Sequence, residues 1–389
     1  MQIKSGRAGN KDARKMIECS EAIAEATALC KPAVVATYPI TPQTHIVEML
    51  AKMHSEGRVN SEIINVESEH SAMSACIGAE ACGVRTFTAS SSQGIALMSE
   101  MLFIASGMRL PIVMAVANRA LSAPINIWND HSDTMAQRDA GWLQFYCENA
   151  QEAYDSIIQA YKISEQKDIM LPSMVCVDGF TLSHLWEPVK MLSQADVDSF
   201  LPVYNPLYKL DSEIPVTMGA LAYPNTYMHF KKQQQDAMLN AVEVIKKTNL
   251  EFGKRFSRIY GNGMIETYKI EDAKEAIVAM GSVCSTARIV IDRLRQKGRK
   301  IGLIKIRAFR PFPNEELKKI AGKIEKIAVI DRAISLGNSG PLFIEIKATL
   351  PKSHINNFIV GLGGRDISEN IIESIVKKIG QKQEIEWVF

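Results

Sequence analysis

The stretch from Ile63 to Gly83 constrains the fold more than any other part of the chain. A short segment rich in isoleucine and valine, Ile63-Ile64-Asn65-Val66, reads as a strand. The acidic step Glu67-Ser68-Glu69-His70 follows it. Then comes Ser71 to Cys82, a helix in which nearly every side chain is small. Such a helix can lie close to a sheet or to another chain, because little side-chain volume holds it off. Gly83 fits the helix stop, where a left-handed residue is favoured. Glu69 falls in the first helical turn, beside free N–H groups and the positive end of the helix dipole. In open α/β sheets ligands sit at the carboxyl ends of strands. Two readings fit Glu69: a carboxylate placed for chemistry, or a plain helix cap.

The neighbouring segments repeat the same rhythm. A helix is expected over Lys15 to Leu29 and strands over Val34–Thr37, Val84–Ala89 and Pro111–Ala117. Helices are expected from Gln43 and over Ile95–Ser106. Strand–helix alternation of this kind predicts a parallel, doubly wound sheet. Each strand delivers a distinctive loop. Tyr38-Pro39-Ile40-Thr41-Pro42 carries two prolines, which exclude helix and sheet ladder and stiffen the backbone around Thr41. Ser90-Ser91-Ser92-Gln93-Gly94 offers hydroxyls and backbone donors at a helix start. Asn118-Arg119-Ala120 opens an aperiodic loop to Asp133, the kind of long loop that often carries function. His131, between Asp130 and Asp133, invites a metal or acid–base reading, but no third ligand lies in sequence reach. Arg119 could pair with either aspartate instead.

After a helix at 150–165 and a strand at 172–177, the first domain is expected to close near Pro188. From 196 to 263 the pattern changes. Pro202, Pro206, Pro215 and Pro224 punctuate an extended arm, and a charged helix runs from Met228 to about Phe256. This segment suits an assembly arm or a linker. A second α/β unit begins at Glu275, with strands at 301–307, 327–330 and 358–361. Gly361-Leu362-Gly363-Gly364 resembles a dinucleotide fingerprint only superficially, since no βαβ unit can follow it.

Composition narrows the function classes. The chain has 389 residues, 47% hydrophobic and 23% charged, with a net charge of +2. That favours a globular protein with no nucleic-acid or membrane partner. No apolar run approaches a membrane span, and the first residues lack an apolar signal core, so the expected location is cytoplasmic. The seven cysteines include no C-x-x-C pair. A zinc or iron–sulfur site within this chain is therefore not expected, and all seven read as buried reduced thiols.

Taken in order, several segments resemble the alpha subunits of pyruvate:ferredoxin oxidoreductases, in the 2-oxoacid:ferredoxin oxidoreductase family. They are Tyr38–Pro42, Glu67–Ala72, Phe87–Ser90 with Gln93-Gly94, Asn118–Leu121, the Asn126–Asp133 loop, Phe309–Pro313 and Gly361–Asp366. The resemblance implies two doubly wound, transketolase-like domains. Residues 1–195 would be the pyrimidine-binding thiamine diphosphate domain and 264–389 the transketolase C-terminal-like domain. Residues 196–263 would be the arm and helix joining them. Glu69 would bond the pyrimidine and favour the tautomer that takes the thiamine C2 proton. Thr41 and Arg119 would hold the substrate, and Pro39, Ile40, Ser92 and Gln93 would help hold the cofactor. The pyrophosphate motif G-D-G is absent, since Val177 precedes Asp178-Gly179. The resemblance thus implies that thiamine diphosphate is shared with a beta subunit, which brings Mg2+ and an iron–sulfur cluster. Gamma and delta-type subunits, ferredoxin and coenzyme A complete the implied reaction: pyruvate to acetyl-CoA and CO2, or the reverse. A branched-chain 2-oxoacid enzyme, a thiamine decarboxylase without a redox step and a non-catalytic scaffold subunit are the competing readings.

Overall fold

The computed structural model describes residues 14–322 and 324–389. The irregular lead-in expected over 5–12 lies outside them. Fifteen strands are described: β1 (Arg14–Glu18), β2 (Val34–Thr37), β3 (Glu62–Asn65), β4 (Thr86–Ser90), β5 (Val113–Asn118), β6 (Leu143–Tyr146), β7 (Ser173–Asp178), β8 (Trp186–Lys190), β9 (Ile265–Tyr268), β10 (Glu275–Ala279), β11 (Ile301–Ile306), β12 (Ala308–Arg310), β13 (Lys326–Asp331), β14 (His354–Val360) and β15 (Ile385–Val388). The helices that matter below are α1 (Cys19–Cys30), α2 (Thr44–Ser55), α3 (Glu69–Ala81), α4 (Ser92–Leu97), α5 (Ser99–Gly107), α6 (Ser132–Ala136), α7 (Ala150–Ser164), α8 (Gln194–Phe200), α9 (Pro224–Phe256) and α10 (Val283–Gln296).

A seven-stranded sheet has the order β12-β6-β7-β5-β4-β2-β3. All its pairings are parallel except β12 with β6. Its central strands β4, β5 and β7 are buried throughout, as strands covered on both faces must be. Along β5 the side chains alternate between two cores. Val113, Ala115 and Ala117 join a core with residues of α1, α2 and α7. Met114 and Val116 join another with residues of α3, α5 and α9. That period of two is what makes the sheet doubly wound. A six-stranded sheet, β15-β14-β13-β10-β11-β9, forms the second α/β unit, parallel except for β9. The Phe309–Pro313 segment departs from it: β12 supplies the edge strand of the first sheet.

Three local expectations fail. Residues 15–18 are strand, not helix, because they pair with β8 across the chain in register Ile17–Glu187. A local periodicity cannot reveal a partner so distant in sequence. The helix expected at 95–106 is two helices meeting at Met98. Cys82 is also exposed, while the other six free cysteines are buried as expected. The arm after α8 has no regular element until Pro224, which occupies the first turn of α9, where its missing N–H costs nothing. The arm is tied to the end of α3 by Leu210 N donating to Ala81 O at 2.7 Å. No helix among the described residues is long and apolar enough to cross a membrane.

The two sheets meet at a seam of buried charges. Lys305 on β11 pairs with Glu152 at 2.6 Å and Glu148 at 2.9 Å, and all three are buried. Arg307 also reaches Glu152, at 3.2 Å, and Arg288 reaches Glu148 at 2.9 Å.

Candidate functional site

Four parallel strands, β5-β4-β2-β3, lie side by side, and each hands its carboxyl end to one of the sequence-expected loops. The Tyr38–Pro42 loop follows β2, Glu69 follows β3, Ser91–Gly94 follows β4 and Arg119 follows β5. Sheet topology therefore gathers residues spread over 80 positions at one edge, where ligands bind in such sheets.

Glu69 is the first residue of α3. Ser68 caps that helix by accepting from Ser71 N at 3.2 Å. Glu67 is exposed, and its carboxylate accepts from the Ser71 hydroxyl. Ser68 thus does the capping, and Glu67 holds the Ser71 hydroxyl. Glu69 is 6% exposed, and among the described residues its carboxylate has no hydrogen bond or ion pair. It lies against Gly94: a Cβ there would fall 2.7 Å from Glu69 Oε1 and 2.4 Å from Ser90 Oγ. Only glycine fits that contact. The Ser90 hydroxyl is itself buried without a partner. An unpaired carboxylate on a largely buried residue and an orphaned buried hydroxyl beside one glycine form a polar cradle, and the hydroxyl's unmet hydrogen bond is the costly one.

The Ser92 and Arg119 backbones are held by one carboxylate. Asp133, fully buried, accepts from Ser92 N at 3.0 Å and Arg119 N at 3.0 Å through one oxygen. Its other oxygen accepts from Asn118 Nδ2 at 2.7 Å and Thr134 N at 2.8 Å. Burial raises its pKa to about 6, against the pull of these donors. Ser92, at φ +45°, turns its hydroxyl to Ala120 O at 2.6 Å. Gln93 is half-buried beside it.

The Arg119 guanidinium makes no ion pair with Asp130 or Asp133. It donates to Thr41 O at 3.0 Å and to Asn126 O at 2.8 Å. It is 7% exposed, and burial lowers its pKa, with Asp133 opposing. Thr41 and Arg119 are thereby brought together. The Thr41 residue is exposed, Pro39 is exposed and Ile40 is half-buried, its carbonyl accepting from Gln43 N at 2.9 Å. The Asn126 loop is clasped from the second α/β unit: Asn126 Nδ2 donates to Gly363 O at 3.1 Å and Gly363 N to Asp130 Oδ2 at 3.2 Å. Gly364, at φ +80°, packs so closely on Trp128 that a Cβ would lie 2.2 Å from its Cβ. The glycine turn is a clasp for this loop.

His131 does not face the cradle. Its Nε2 meets Asp178 Oδ1 at 2.8 Å, and Arg332 Nη1 donates to Asp178 Oδ2 at 2.6 Å. Burial pushes the Asp178 carboxyl up, but Arg332 and His131 outweigh it and hold it well below the carboxylate range. The Asp130-His131-Asp133 trio therefore diverges into three separate structural roles. The sequence marked Ser90, Gly94 and Asp133 only as parts of their loops, with no individual place in the cradle. Only the folded contacts give them that role.

Known proteins match this chain along most of its length. Residues 25–249 match the family model described as pyruvate flavodoxin/ferredoxin oxidoreductase, thiamine diphosphate-binding. Residues 273–372 match pyruvate:ferredoxin oxidoreductase core domain II. The pyruvate synthase subunit PorA of Methanocaldococcus jannaschii is 54% identical, over 95% of this chain and 96% of that one. The PorA subunit of Pyrococcus furiosus is 48% identical, over 96% and 97%. The ketoisovalerate oxidoreductase subunit VorA of Pyrococcus horikoshii is 47% identical, over 96% and 97%. In fold, the chain is similar to the 2-oxoglutarate:ferredoxin oxidoreductase of Magnetococcus marinus, with a TM-score of 0.71 and 16% identity. That likeness covers 94% of this chain and 65% of that one.

Proposed function

The chain belongs to the pyruvate:ferredoxin oxidoreductase family, and we propose that it is the alpha subunit of a complex that oxidatively decarboxylates pyruvate to acetyl-CoA and CO2, or runs the reverse. The observation that carries this reading is the cradle. A buried carboxylate without a partner, beside an unbonded hydroxyl and a glycine, fits a ring that offers both a nitrogen and an amino group. Thiamine diphosphate, when bound, supplies the electron sink that decarboxylation of a 2-oxoacid requires. Glu69 holds negative charge against the pyrimidine nitrogen and exchanges a proton there. Ser90 and the backbone around Ser92 and Gln93, with Pro39 and Ile40, line its surroundings. Arg119, desolvated and aimed at the Thr41 loop, pairs with the substrate carboxylate in a fork that a planar guanidinium suits. The Thr41 hydroxyl adds a hydrogen bond to the substrate.

Half of such a site is supplied elsewhere. No pyrophosphate motif occurs in this sequence, and α4 and the loop after β5 expose Leu97, Ile125 and Trp128 at 53%, 80% and 53%. Apolar side chains so exposed around a polar cleft suit a subunit interface. A beta subunit would cover them and bring the pyrophosphate, its Mg2+ and a cluster. Gamma and delta-type subunits would carry electrons on to ferredoxin. We assign residues 1–195 to the pyrimidine-binding domain, 196–263 to the assembly arm and 264–389 to the second domain, with β12 lent back to the first sheet.

A branched-chain 2-oxoacid specificity is the second reading, favoured by the VorA relative at 47% identity. The test is to purify the native complex, identify its chains and iron, and compare rates with pyruvate and 2-oxoisovalerate. Faster pyruvate turnover is expected. Faster 2-oxoisovalerate turnover overturns the substrate, and a complex without iron overturns the redox step.

A further inference from the structure

Glu18, His45 and His184 come from three separate segments and converge at the surface. Glu18 ends β1, His45 sits in the first turn of α2, and His184 lies in the turn after β7. One ligand atom from each lies within 4.8 Å of the others, and among the described residues no second trio of His, Cys, Asp or Glu does so. We propose that these three side chains bind one divalent transition-metal ion, with Zn2+ the best fit. Two imidazoles and one carboxylate are the donor set that borderline cations favour, and a fourth position is left open to water.

The contacts around the trio match what such a site requires. His45 Nδ1 stands 2.7 Å from Glu18 Oε1. Donors on one tetrahedral ion sit roughly 3.2–3.4 Å apart, so the pair needs to open by only a fraction of an ångström. The His45 and His184 rings lie side by side, 4.4 Å between centroids. His184 Nδ1 meets Ser183 Oγ at 2.8 Å, which leaves Nε2 as the ligating atom. The Ser183 oxygen is itself fixed by Phe180 N at 2.9 Å. An oxygen bonded to the second ring nitrogen is the usual device for orienting a metal-bound histidine. Ordinary contacts hold all three side chains in place, Glu18 on His45 and His184 on Ser183 and the Phe180 ring, so the trio is preorganised before any ion arrives. The backbone also sets the site in advance. Ser20 N donates to Ser183 O and Cys19 N to Leu185 O, both at 3.0 Å, tying the His184 turn to the residues after Glu18.

An ion here would pin the start of α2, four residues beyond Thr41, to β1 and the β7 turn. It would brace the loop whose Thr41 carbonyl holds Arg119, without entering the cradle.

The test uses the full-length chain, stripped with a chelator and titrated calorimetrically with Zn2+. One equivalent should bind and raise the melting temperature. His45→Ala and His184→Ala should each weaken binding by ~100-fold or more, and Ser183→Ala by about 10-fold, the range seen when orienting partners are lost. His45 is exposed, so its variant should fold as the parent does, which the melting temperature without metal checks. Cys82 is the exposed thiol that could mimic such binding, and Cys82→Ser should change nothing. Absence of Zn2+ binding, or equal affinity in parent and both histidine variants, overturns the site. So does loss of binding in Cys82→Ser alone.

Discussion

The seam between the sheets and the mouth of the cradle both bury charge, and they treat it in opposite ways. At the seam every charge has a counter-charge. Lys305 meets Glu148 and Glu152, and Arg288 and Arg307 complete the set. Burial pushes the Glu148 carboxyl up, yet Arg288 and Lys305 outweigh it and bring it to about 2. At the mouth the Glu69 carboxylate meets no cation, the Ser90 hydroxyl meets nothing, and the Arg119 guanidinium meets only carbonyls. Buried charges that are satisfied within the chain hold the fold. Charges left without a counter-charge at these strand ends are the ones the proposed function assigns to a ligand.

The largest expected effect breaks the seam. Lys305→Met removes the cation that Glu148 and Glu152 share, leaving each with a single arginine, and should cost up to about 3–5 kcal/mol of stability in denaturant unfolding. A variant as stable as the parent would remove the contrast with the mouth. Next is Arg119→Leu, which should leave stability nearly unchanged and lose about 2–5 kcal/mol of substrate binding. Arg119→Lys should recover only part, since an ammonium lacks the planar fork. If the leucine variant loses stability and assembly first, Arg119 belongs with the seam, holding the Asn126 loop.

Glu80, on the same helix as Glu69, sharpens the comparison. It is buried and accepts from Thr86 Oγ1 at 2.7 Å, with no cation nearby to match its charge. Burial pushes its pKa up to about 8. The folded state thus binds this proton more tightly than the unfolded state. Its contribution is full below the ordinary glutamate range and is lost as pH rises through about 8. Glu80→Gln should therefore match the parent near pH 5 and exceed it near pH 9, by on the order of 3 kcal/mol. Parallel stability–pH curves for the two proteins would refute this. The smallest effect is expected at Asp133. Asp133→Asn replaces one acceptor with a donor and so loses either the two bonds from Ser92 N and Arg119 N or the two from Asn118 and Thr134 N, costing about 1–3 kcal/mol. A Michaelis constant unchanged from the parent would show that this carboxylate does not position the site.

Much of the mouth was legible in the sequence because each loop follows its own strand. Pro39 and Pro42 marked a stiff loop, and the small residues after Glu69 marked a close-packed helix. The parallel rhythm then put both at one sheet edge. What the sequence could not show was pairing across long separations. β1 looked helical because its partner β8 lies over 160 residues away. Phe309 and Arg310 looked like part of the second unit, yet they close the first sheet. Asp130 and Asp133 invited a metal or acid–base reading of His131 that no third ligand supported, and its partner, Asp178, is 47 residues on. The sequence left open an ion pair of Arg119 with Asp130 or Asp133, and Asp133 is instead a backbone clamp. In each case the local pattern named the residue type correctly, and tertiary contact decided what it touched.

The central claim is that the unpartnered Glu69 carboxylate is kept for the thiamine ring. The most direct measurement is deuterium exchange at thiamine C2 in the assembled complex carrying Glu69→Gln. The amide keeps the shape and removes the charge, so assembly should be normal and exchange should fall close to the rate of free thiamine. Exchange at the parent rate in a normally assembled variant would contradict the account.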